Sequence, residues 1–377
     1  MAASPVIAGV PASSSRLDGI VKIGVLTFHR CINYGSYWQA KCLADGLRSL
    51  GHRAVILDHA SRKVDIAEWR CALRPTLPQP TLREDHGRYR RKIRRFFEAF
   101  EELPLSPRFP LDEPGRMPAC DTVVVGSDEV WNLSHPWYGA FPAFYGEGLR
   151  ARHLVSYAAS FGHYDARLGL DQERAQCLGR FRHIAVRDAA SRDLVENATG
   201  HRPELVLDPC LAFPPAPSVP VPLDEPYVAV YGHNFSPRFA DAVARWARRR
   251  GLRTVSIGYR NAWADRQWIE AGPREFAALV AGARSVATNF FHGCVFALRY
   301  GRPFVCEGSS YRSTKLRSLM ADAGTGAHFA GPSTPDSTFE RLLEEPLPDA
   351  VQDRIGALRA RSHRYLLAAL LPATAAA

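Results

Sequence analysis

A short run in the second half of the chain limits its fold most strongly. Residues 285–288 have the pattern of a buried strand, residues 292–300 that of a helix, and residues 302–306 that of a second strand. This order predicts a βαβ unit with parallel strands. Asn289 and His292 lie where the first strand gives way to the helix. Backbone N–H groups at a helix N-terminus attract anions, and a histidine beside them can transfer protons, so we expect an anion site here.

The same alternation of strands and helices continues through the chain. Further apolar strands of the kind buried in parallel sheets are predicted at 22–28, 53–58, 121–125, 153–157, 183–186, 204–207, 227–231 and 253–257. Helical spacing of apolar residues predicts helices at 40–50, 238–250, 273–282, 314–322 and 349–370. The pattern indicates an α/β protein whose sheets are doubly wound.

The domain boundaries follow from composition. Residues 1–19, rich in Ala, Ser and Pro, read as a disordered leader rather than a signal peptide. The proline-rich stretch 214–222 is the clearest linker. We therefore predict two Rossmann-like domains, residues 20–222 and residues 223–377, the second closed by a C-terminal helix. A ligand is expected between them, at the carboxyl ends of the strands.

Charge and cysteine usage limit the class of protein. The formal net charge of +10 favours an acidic partner, which is a phosphorylated substrate, a nucleic acid or an anionic lipid surface. The eight cysteines contain no C-x-x-C pair, which argues against a zinc site and fits reduced thiols in a cytoplasmic enzyme. No apolar run approaches the roughly 20 residues of a transmembrane helix.

A basic segment at 88–97 has arginines on one helical face and aromatic residues on the other. The plain interpretation is an amphipathic helix packed on its own domain with a solvated basic face. The alternative is peripheral contact with a membrane surface or with a phosphate-bearing substrate. Nucleic acid is disfavoured because no nucleic-acid-binding motif accompanies the charge.

Four loops that follow predicted strands carry the candidate site residues. Asn33 and Gly35 lie in the first loop, where glycine permits a sharp turn and asparagine is either a ligand or a helix cap. Ser127 and Asp128 lie in the second and suit hydroxyl recognition. Arg187 leaves a buried strand in the third and is either a partner for phosphate or carboxylate or a structural bridge. The fourth is the loop before the 292–300 helix, and its histidine is either catalytic or merely hydrogen-bonded.

Together the loops resemble the polysaccharide pyruvyl transferase family. The matching motifs, in the family's order, are NYG (33–35), GSDEVWN (126–132), SYAASFG (156–162), VRD (186–188), LDP (207–209) and TNFFHGCVFALRYGRPF (288–304). The resemblance implies a fold like the two-domain B-type glycosyltransferases. It also implies transfer of a pyruvyl group from phosphoenolpyruvate onto two hydroxyls of one sugar, giving a cyclic ketal in cell-surface or exopolysaccharide biosynthesis.

The resemblance also implies roles for individual residues. His292 is the acid/base candidate and Arg187 holds phosphoenolpyruvate, while Asn289, Gly293 and the neighbouring amides bind the substrate. Phosphoenolpyruvate is a co-substrate, and the chemistry needs no cofactor and no metal. The acceptor is a saccharide, with a lipid-linked form and reaction at the inner face of the membrane as further expectations.

One departure from the family pattern concerns the donor. Many members carry arginine-leucine before the histidine, whereas this chain has Phe290 and Phe291. The missing cation has to come from elsewhere, and Lys315, Arg312 and Arg317 are the substitutes expected from the sequence.

Three alternatives to pyruvyl transfer onto a saccharide remain at this stage. A sugar-nucleotide glycosyltransferase on the same fold needs an acid for the ribose hydroxyls. The 292–300 helix has none, and only Glu307 lies nearby. A non-catalytic role in polysaccharide assembly is favoured only by Phe290 and Phe291. Transfer onto a non-carbohydrate acceptor is a further alternative, because a fold does not determine a function.

Overall fold

The computed structural model describes residues 20–75, 80–139, 141–214, 219–221, 223–308 and 313–371. The predicted leader 1–19, much of the predicted linker and Arg312 lie outside these residues.

The first half of the chain builds a parallel sheet with strand order β2-β1-β5-β6. The pair β7-β8 continues it through single bridges from Val155 to His183 and from Ala159 to Val186. Two short strands, β3 and β4, pair separately. The strands are β1 (Lys22–Leu26), β2 (Arg53–Ile56), β3 (His59–Ala60), β4 (Phe109–Pro110), β5 (Cys120–Val125), β6 (Ala151–Ser156), β7 (Ala185–Val186) and β8 (Glu204–Leu205).

The second half builds a six-stranded parallel sheet with order β11-β10-β9-β12-β13-β14. Its strands are β9 (Tyr227–Tyr231), β10 (Arg253–Ile257), β11 (Arg266–Trp268), β12 (Ser285–Thr288), β13 (Phe304–Glu307) and β14 (Phe329–Ala330). The chain winds outward from β9 in one direction and then from β12 in the other. Ligands bind beside the carboxyl ends of the two strands at such a reversal.

Helices connect most of the strands. They are α1 (Tyr34–Ser49), α2 (Arg62–Leu73), α3 (His86–Phe100), α4 (Gln172–Gly179), α5 (Ala189–Thr199), α6 (Pro209–Ala212), α7 (Pro237–Arg249), α8 (Pro273–Gly282), α9 (Phe291–Arg299), α10 (Ser313–Ala323), α11 (Asp336–Glu344) and α12 (Asp349–Leu370). Short 3-10 turns lie at Arg83–Asp85, Pro114–Arg116, Pro142–Tyr145, Ala166–Leu168 and Gly326–His328. The parallel sheets confirm the predicted doubly wound α/β class. No helix of the described residues is long and apolar enough to cross a membrane.

One apolar core joins the two halves. Helix α1 buries its inner face on the first sheet and places Tyr34 and Trp38 against the second half. The Tyr34 ring stacks on Phe276 with centroids 4.4 Å apart, and the Trp38 indole N–H donates to the Pro273 carbonyl at 2.9 Å. Helix α12 returns to the first half, where the Tyr365 hydroxyl donates to the Ser156 carbonyl at 2.7 Å. These contacts hold the carboxyl edges of the two sheets face to face.

The basic helix α3 lies against the second half rather than only on its own domain. Arg95 Nη1 donates to the Glu270 carbonyl at 3.0 Å, and the Arg91 guanidinium lies 3.6 Å from the Glu270 carboxylate. Arg90 and Arg94 are exposed. The prediction that the basic face is fully solvated is therefore wrong, because part of that face contacts the second half.

Candidate functional site

A cleft of about 420 Å³ lies between the two sheets. Its polar and charged lining includes Asn33, Asp128, Arg187, His233, His292 and Lys315. Most of these residues follow directly on the carboxyl ends of strands, where loops from both halves converge. The structure thus brings together five of the predicted site residues, Asn33, Asp128, Arg187, His292 and Lys315, in one cavity.

His292 lies in the first turn of α9, which begins at Phe291. It is buried, and its Nε2 lies 3.4 Å from Asp208 Oδ2. Burial raises the pKa of Asp208, but the nearby charges of His292 and Arg187 lower it well below its usual range. Asp208 is therefore an ionised carboxylate that can orient the imidazole and stabilise its protonated form.

Gly35 determines how closely α1 approaches this histidine. A Cβ at position 35 would lie 2.0 Å from His292 Nδ1, so only glycine allows the two helix N-termini to meet. Asn33 caps α1, since its Oδ1 accepts from the Gly35 N–H at 2.8 Å and the Ser36 N–H at 3.4 Å. The helix-cap alternative for Asn33 is therefore observed, and the residue lines the cleft as well.

Arg187 is buried between two carboxylates. Its Nη1 donates to Asp208 Oδ2 at 3.2 Å, and Nη2 lies 3.9 Å from Asp128 Oδ1. The guanidinium also lies over the Phe291 ring, 4.4 Å from the centroid. Burial lowers the pKa of Arg187, but Asp128 and Asp208 raise it beyond its usual value. The Nε atom has no hydrogen-bond partner among the described residues, so the group retains donor capacity toward a ligand.

Three predicted residues lie behind the cleft rather than in its lining. Ser127 is fully buried, and its hydroxyl donates to Gln39 Oε1 at 2.7 Å. The Asn289 amide donates to the His233 carbonyl at 2.8 Å. Gly293 donates its N–H to the Phe290 carbonyl at 3.0 Å. These groups support the loops that carry the lining residues.

The expected substitute cations differ in position. Lys315 lines the cleft and forms an ion pair with Glu129 of the first half. Burial raises the pKa of Glu129, but Lys315 lowers it well below its usual range. Arg317 instead stacks on Phe329, with its Cζ 4.1 Å from the ring centroid. Arg312 lies outside the described residues.

Sequence reasoning missed several lining residues. Lys92 projects from α3 into the cleft, and Tyr259 follows β10. Glu68 and Trp137 lie on the side of the first half, where the Trp137 indole N–H donates to Glu68 Oε1 at 2.9 Å. Burial raises the pKa of the Glu68 carboxyl. The available signal for Lys92 was its place on the apolar face of α3, three residues after Tyr89 and four before Phe96, both of which are buried.

One group of side chains has the composition of a metal site. Potential ligand atoms of Asp208, Cys210 and His292 lie within 4.8 Å of one another. A metal ion at Asp208 Oδ2 would be adjacent to the guanidinium of Arg187, which already donates to that oxygen. Burial also raises the pKa of the Cys210 thiol well above its usual value, which opposes the thiolate that a metal needs. The residues therefore fit an orienting carboxylate better than a metal.

Glu307, the acid that a sugar-nucleotide enzyme would need, is directed elsewhere. It accepts the Ser236 N–H at 3.0 Å and the Ser236 hydroxyl at 2.5 Å at the start of α7. It does not appear among the residues lining the cleft.

Solved structures share this two-domain architecture. The S. aureus MnaA–UDP co-structure aligns over 93% of this chain and 98% of that chain, with a TM-score of 0.50 and 12% identity. A UDP-N-acetylglucosamine 2-epimerase aligns over 92% and 95%, with a TM-score of 0.51 and 13% identity. The calicheamicin glycosyltransferase CalG4 aligns over 94% and 96%, with a TM-score of 0.42 and 14% identity. At these identities the first two similarities show the fold, two Rossmann-like domains as in B-type glycosyltransferases.

Sequence comparison defines the family. A search of curated protein sequences found no match. The family model described as polysaccharide pyruvyl transferase matches residues 33–311, which is 279 of the 377 residues. That span contains the first-turn histidine of α9, its carboxylate partner and the buried arginine. The chain therefore belongs to the polysaccharide pyruvyl transferase family, as its motifs indicated.

Proposed function

We propose that the cleft transfers a pyruvyl group from phosphoenolpyruvate onto two hydroxyls of one saccharide, forming a cyclic ketal and releasing phosphate. The observation that carries this proposal is the arrangement of His292, Asp208 and Arg187. A histidine in the first turn of α9 lies beside an ionised carboxylate, which itself accepts from a buried arginine. This set combines a proton donor with cationic binding groups, which are the two requirements of an enol phosphate donor.

The donor binds on the side of α9. Arg187 has an N–H group without a described partner, and the first turn of α9 adds its positive dipole end. The carboxylate and phosphate of phosphoenolpyruvate would occupy this region, with the methylene carbon toward His292. Burial of the site strengthens these charge interactions, because the effective dielectric constant is lower than in water.

The chemistry requires protons to move in both directions. Protonated His292 gives its proton to the methylene carbon, and the resulting cationic carbon is attacked by the first sugar hydroxyl, whose proton returns to His292. The C–O bond to phosphate then breaks, and the second hydroxyl closes the ketal while its proton leaves with the phosphate. Asp208 stabilises the imidazolium form at the start of each cycle.

The saccharide binds on the side of the first half. Trp137 and Phe28 provide aromatic surface, and Glu68 provides a half-buried carboxyl group that accepts a hydrogen bond from the Trp137 indole. Aromatic faces with a few fixed polar groups are a common way to bind a polar ligand with an apolar face. We assign the acceptor hydroxyls to this part of the cleft.

The proposal extends to the cellular setting. Cell-surface or exopolysaccharide biosynthesis supplies the acceptor, a lipid-linked form of which would be modified at the cytoplasmic face of the membrane. The exposed Arg90 and Arg94 of α3 are the groups available for peripheral contact with anionic lipid.

A test of the proposed reaction compares donors directly. The purified protein is incubated with saccharides carrying free adjacent diols and either phosphoenolpyruvate or a nucleotide sugar. We expect equal amounts of released phosphate and pyruvylated product with phosphoenolpyruvate. Transfer from the nucleotide sugar alone would instead establish glycosyl transfer. Transfer from neither donor would favour a non-catalytic role.

A further inference from the structure

Lys92 is a buried lysine at the margin of the donor region. It lies in the middle of α3, is 3% exposed, and lines the same cleft as His292 and Arg187. Its side chain crosses from the first half to the second, where Nζ donates to the Gly258 carbonyl at 2.9 Å. Gly258 has a φ of 76°, and a Cβ there would lie 2.6 Å from the Tyr34 ring, so glycine is needed to present this carbonyl.

The charge of Lys92 is not balanced by a described carboxylate. Within the part of the chain that the structure describes, no carboxylate oxygen lies within 4.0 Å of its Nζ, and Gly258 is its sole hydrogen-bond acceptor. An ammonium group has three N–H donors, so two remain for another acceptor. Arg91 and Arg95 on the same helix both pair with carboxylates. A buried cation without a counterion is costly, so the site favours the neutral amine until an anion lies beside Nζ and stabilises the charged form.

The surroundings of Lys92 are aromatic and apolar. Its Nζ lies 4.3 Å from the centroid of the Tyr259 ring and 5.1 Å from that of Tyr34. The titratable groups facing it are Tyr34 of α1, Tyr259 after β10 and Cys71 of α2. Burial raises the pKa of Tyr34 and of Cys71. Neither of these two groups supplies a negative charge at neutral pH.

The Tyr259 ring connects Lys92 to the donor region. It contacts Phe290, with centroids 5.5 Å apart, and Phe290 directly precedes the first turn of α9. Lys92 and Arg187 both line this one cavity of about 420 Å³. Lys92 is thus positioned to serve as a cation where this chain has Phe290.

We propose that Lys92 is a donor-binding residue, whose ammonium group contacts one of the two anionic groups of phosphoenolpyruvate in the cleft. This inference rests on the proposed function. Burial lowers the pKa of Lys92 to about 7, so the amine is largely neutral at about pH 8 before the donor binds. An anion beside it favours the charged form, so donor binding at that pH includes uptake of a proton by Lys92.

Isothermal titration calorimetry with phosphoenolpyruvate tests this inference. Titrations at about pH 8 in buffers of different ionisation enthalpy give both the affinity and the number of protons taken up. The variants are Lys92→Met, which removes the charge, and Lys92→Arg, which retains a cation that does not titrate. Arg95→Met is the matched control, because Arg95 also joins α3 to the second half but does not line the cleft.

We expect Lys92→Met to weaken phosphoenolpyruvate binding roughly 10- to 100-fold, the effect of one charge-assisted hydrogen bond. Lys92→Arg should retain most of the affinity but lose the proton uptake. Arg95→Met should match the wild type in both. The wild-type proton uptake is measured without any substitution, so it tests the inference even if a variant fails to fold.

The outcomes separate this inference from the proposed function. If Lys92→Met binds phosphoenolpyruvate as tightly as the wild type does, or if Lys92→Arg still takes up the wild-type number of protons, the role of Lys92 is overturned. Either result leaves the proposal of pyruvyl transfer intact. Absence of any phosphoenolpyruvate binding by the folded wild-type protein overturns both.

Discussion

The buried charge of Lys92 predicts a distinctive dependence of stability on pH. Burial lowers the lysine pKa from 10.5 to about 7 in the folded protein. Between these values the unfolded chain binds more protons than the folded one, so the free energy of unfolding rises with pH. Below about pH 7 both states are protonated and the full penalty of burial is present. The difference of about 3.5 pKa units corresponds to an upper limit of about 5 kcal/mol.

The measurement compares Lys92→Met with the wild type in urea denaturation without ligands. Methionine has no titrating group. The free energy of unfolding of the wild type, minus that of the variant, should therefore increase by about 1.4 kcal/mol per pH unit above about pH 7. Over two pH units the gain is about 3 kcal/mol. The unsatisfied Gly258 carbonyl in the variant shifts the difference by a constant and leaves its slope unchanged. Parallel stability curves between about pH 7 and 9 would refute the account of Lys92 as a desolvated cation.

Four further predictions concern the cleft and the basic helix. His292→Ala should abolish turnover. Its melting temperature should stay close to that of the wild type, and its phosphoenolpyruvate affinity, measured calorimetrically, should stay within a few-fold. Gly35→Ala should lower kcat roughly 100-fold or more in steady-state assays, because its Cβ would occupy the place of the imidazole 2.0 Å away. Trp137→Ala should raise KM for the saccharide roughly tenfold or more and leave phosphoenolpyruvate affinity unchanged, since it removes acceptor contacts only. Replacing Arg90 and Arg94 by glutamate should reduce initial rates on a lipid-linked acceptor more than on the free oligosaccharide.

Each of these predictions has a contradicting result. Near-wild-type turnover in His292→Ala would remove the histidine from the mechanism. An unchanged kcat in Gly35→Ala would show that the position of the imidazole is not critical. A changed phosphoenolpyruvate affinity in Trp137→Ala would show that the indole does not act on the acceptor alone. If replacing Arg90 and Arg94 reduces the initial rates on both acceptors equally, contact of α3 with a membrane is excluded.

The fold was predictable because its signals are local. The strand, helix and strand around His292 are each specified by a few adjacent residues, and the structure has them as β12, α9 and β13. Helix α1 begins at Tyr34, earlier than its apolar spacing indicated, because Asn33 caps it. Elements without a strong period, such as α2 and the three-residue strand β11, were not predicted.

The site was predictable only in part, because side-chain direction depends on tertiary contacts. Ser127 follows the correct strand, but its hydroxyl turns inward to Gln39. Asp208 was visible within the LDP motif, yet its approach to His292 joins residues 84 positions apart. Lys92 shares the buried face of α3 with Tyr89 and Phe96. Its contact with Gly258, 166 positions away in the second half, could not be predicted from the helix alone.

Binding of phosphoenolpyruvate to the purified protein tests the central claim most directly. Calorimetric titration should show one phosphoenolpyruvate bound per chain, with affinity strongly reduced in Arg187→Ala and with no comparable binding of UDP-N-acetylglucosamine. Tight binding of the nucleotide sugar without binding of phosphoenolpyruvate would contradict pyruvyl transfer and favour a glycosyltransferase.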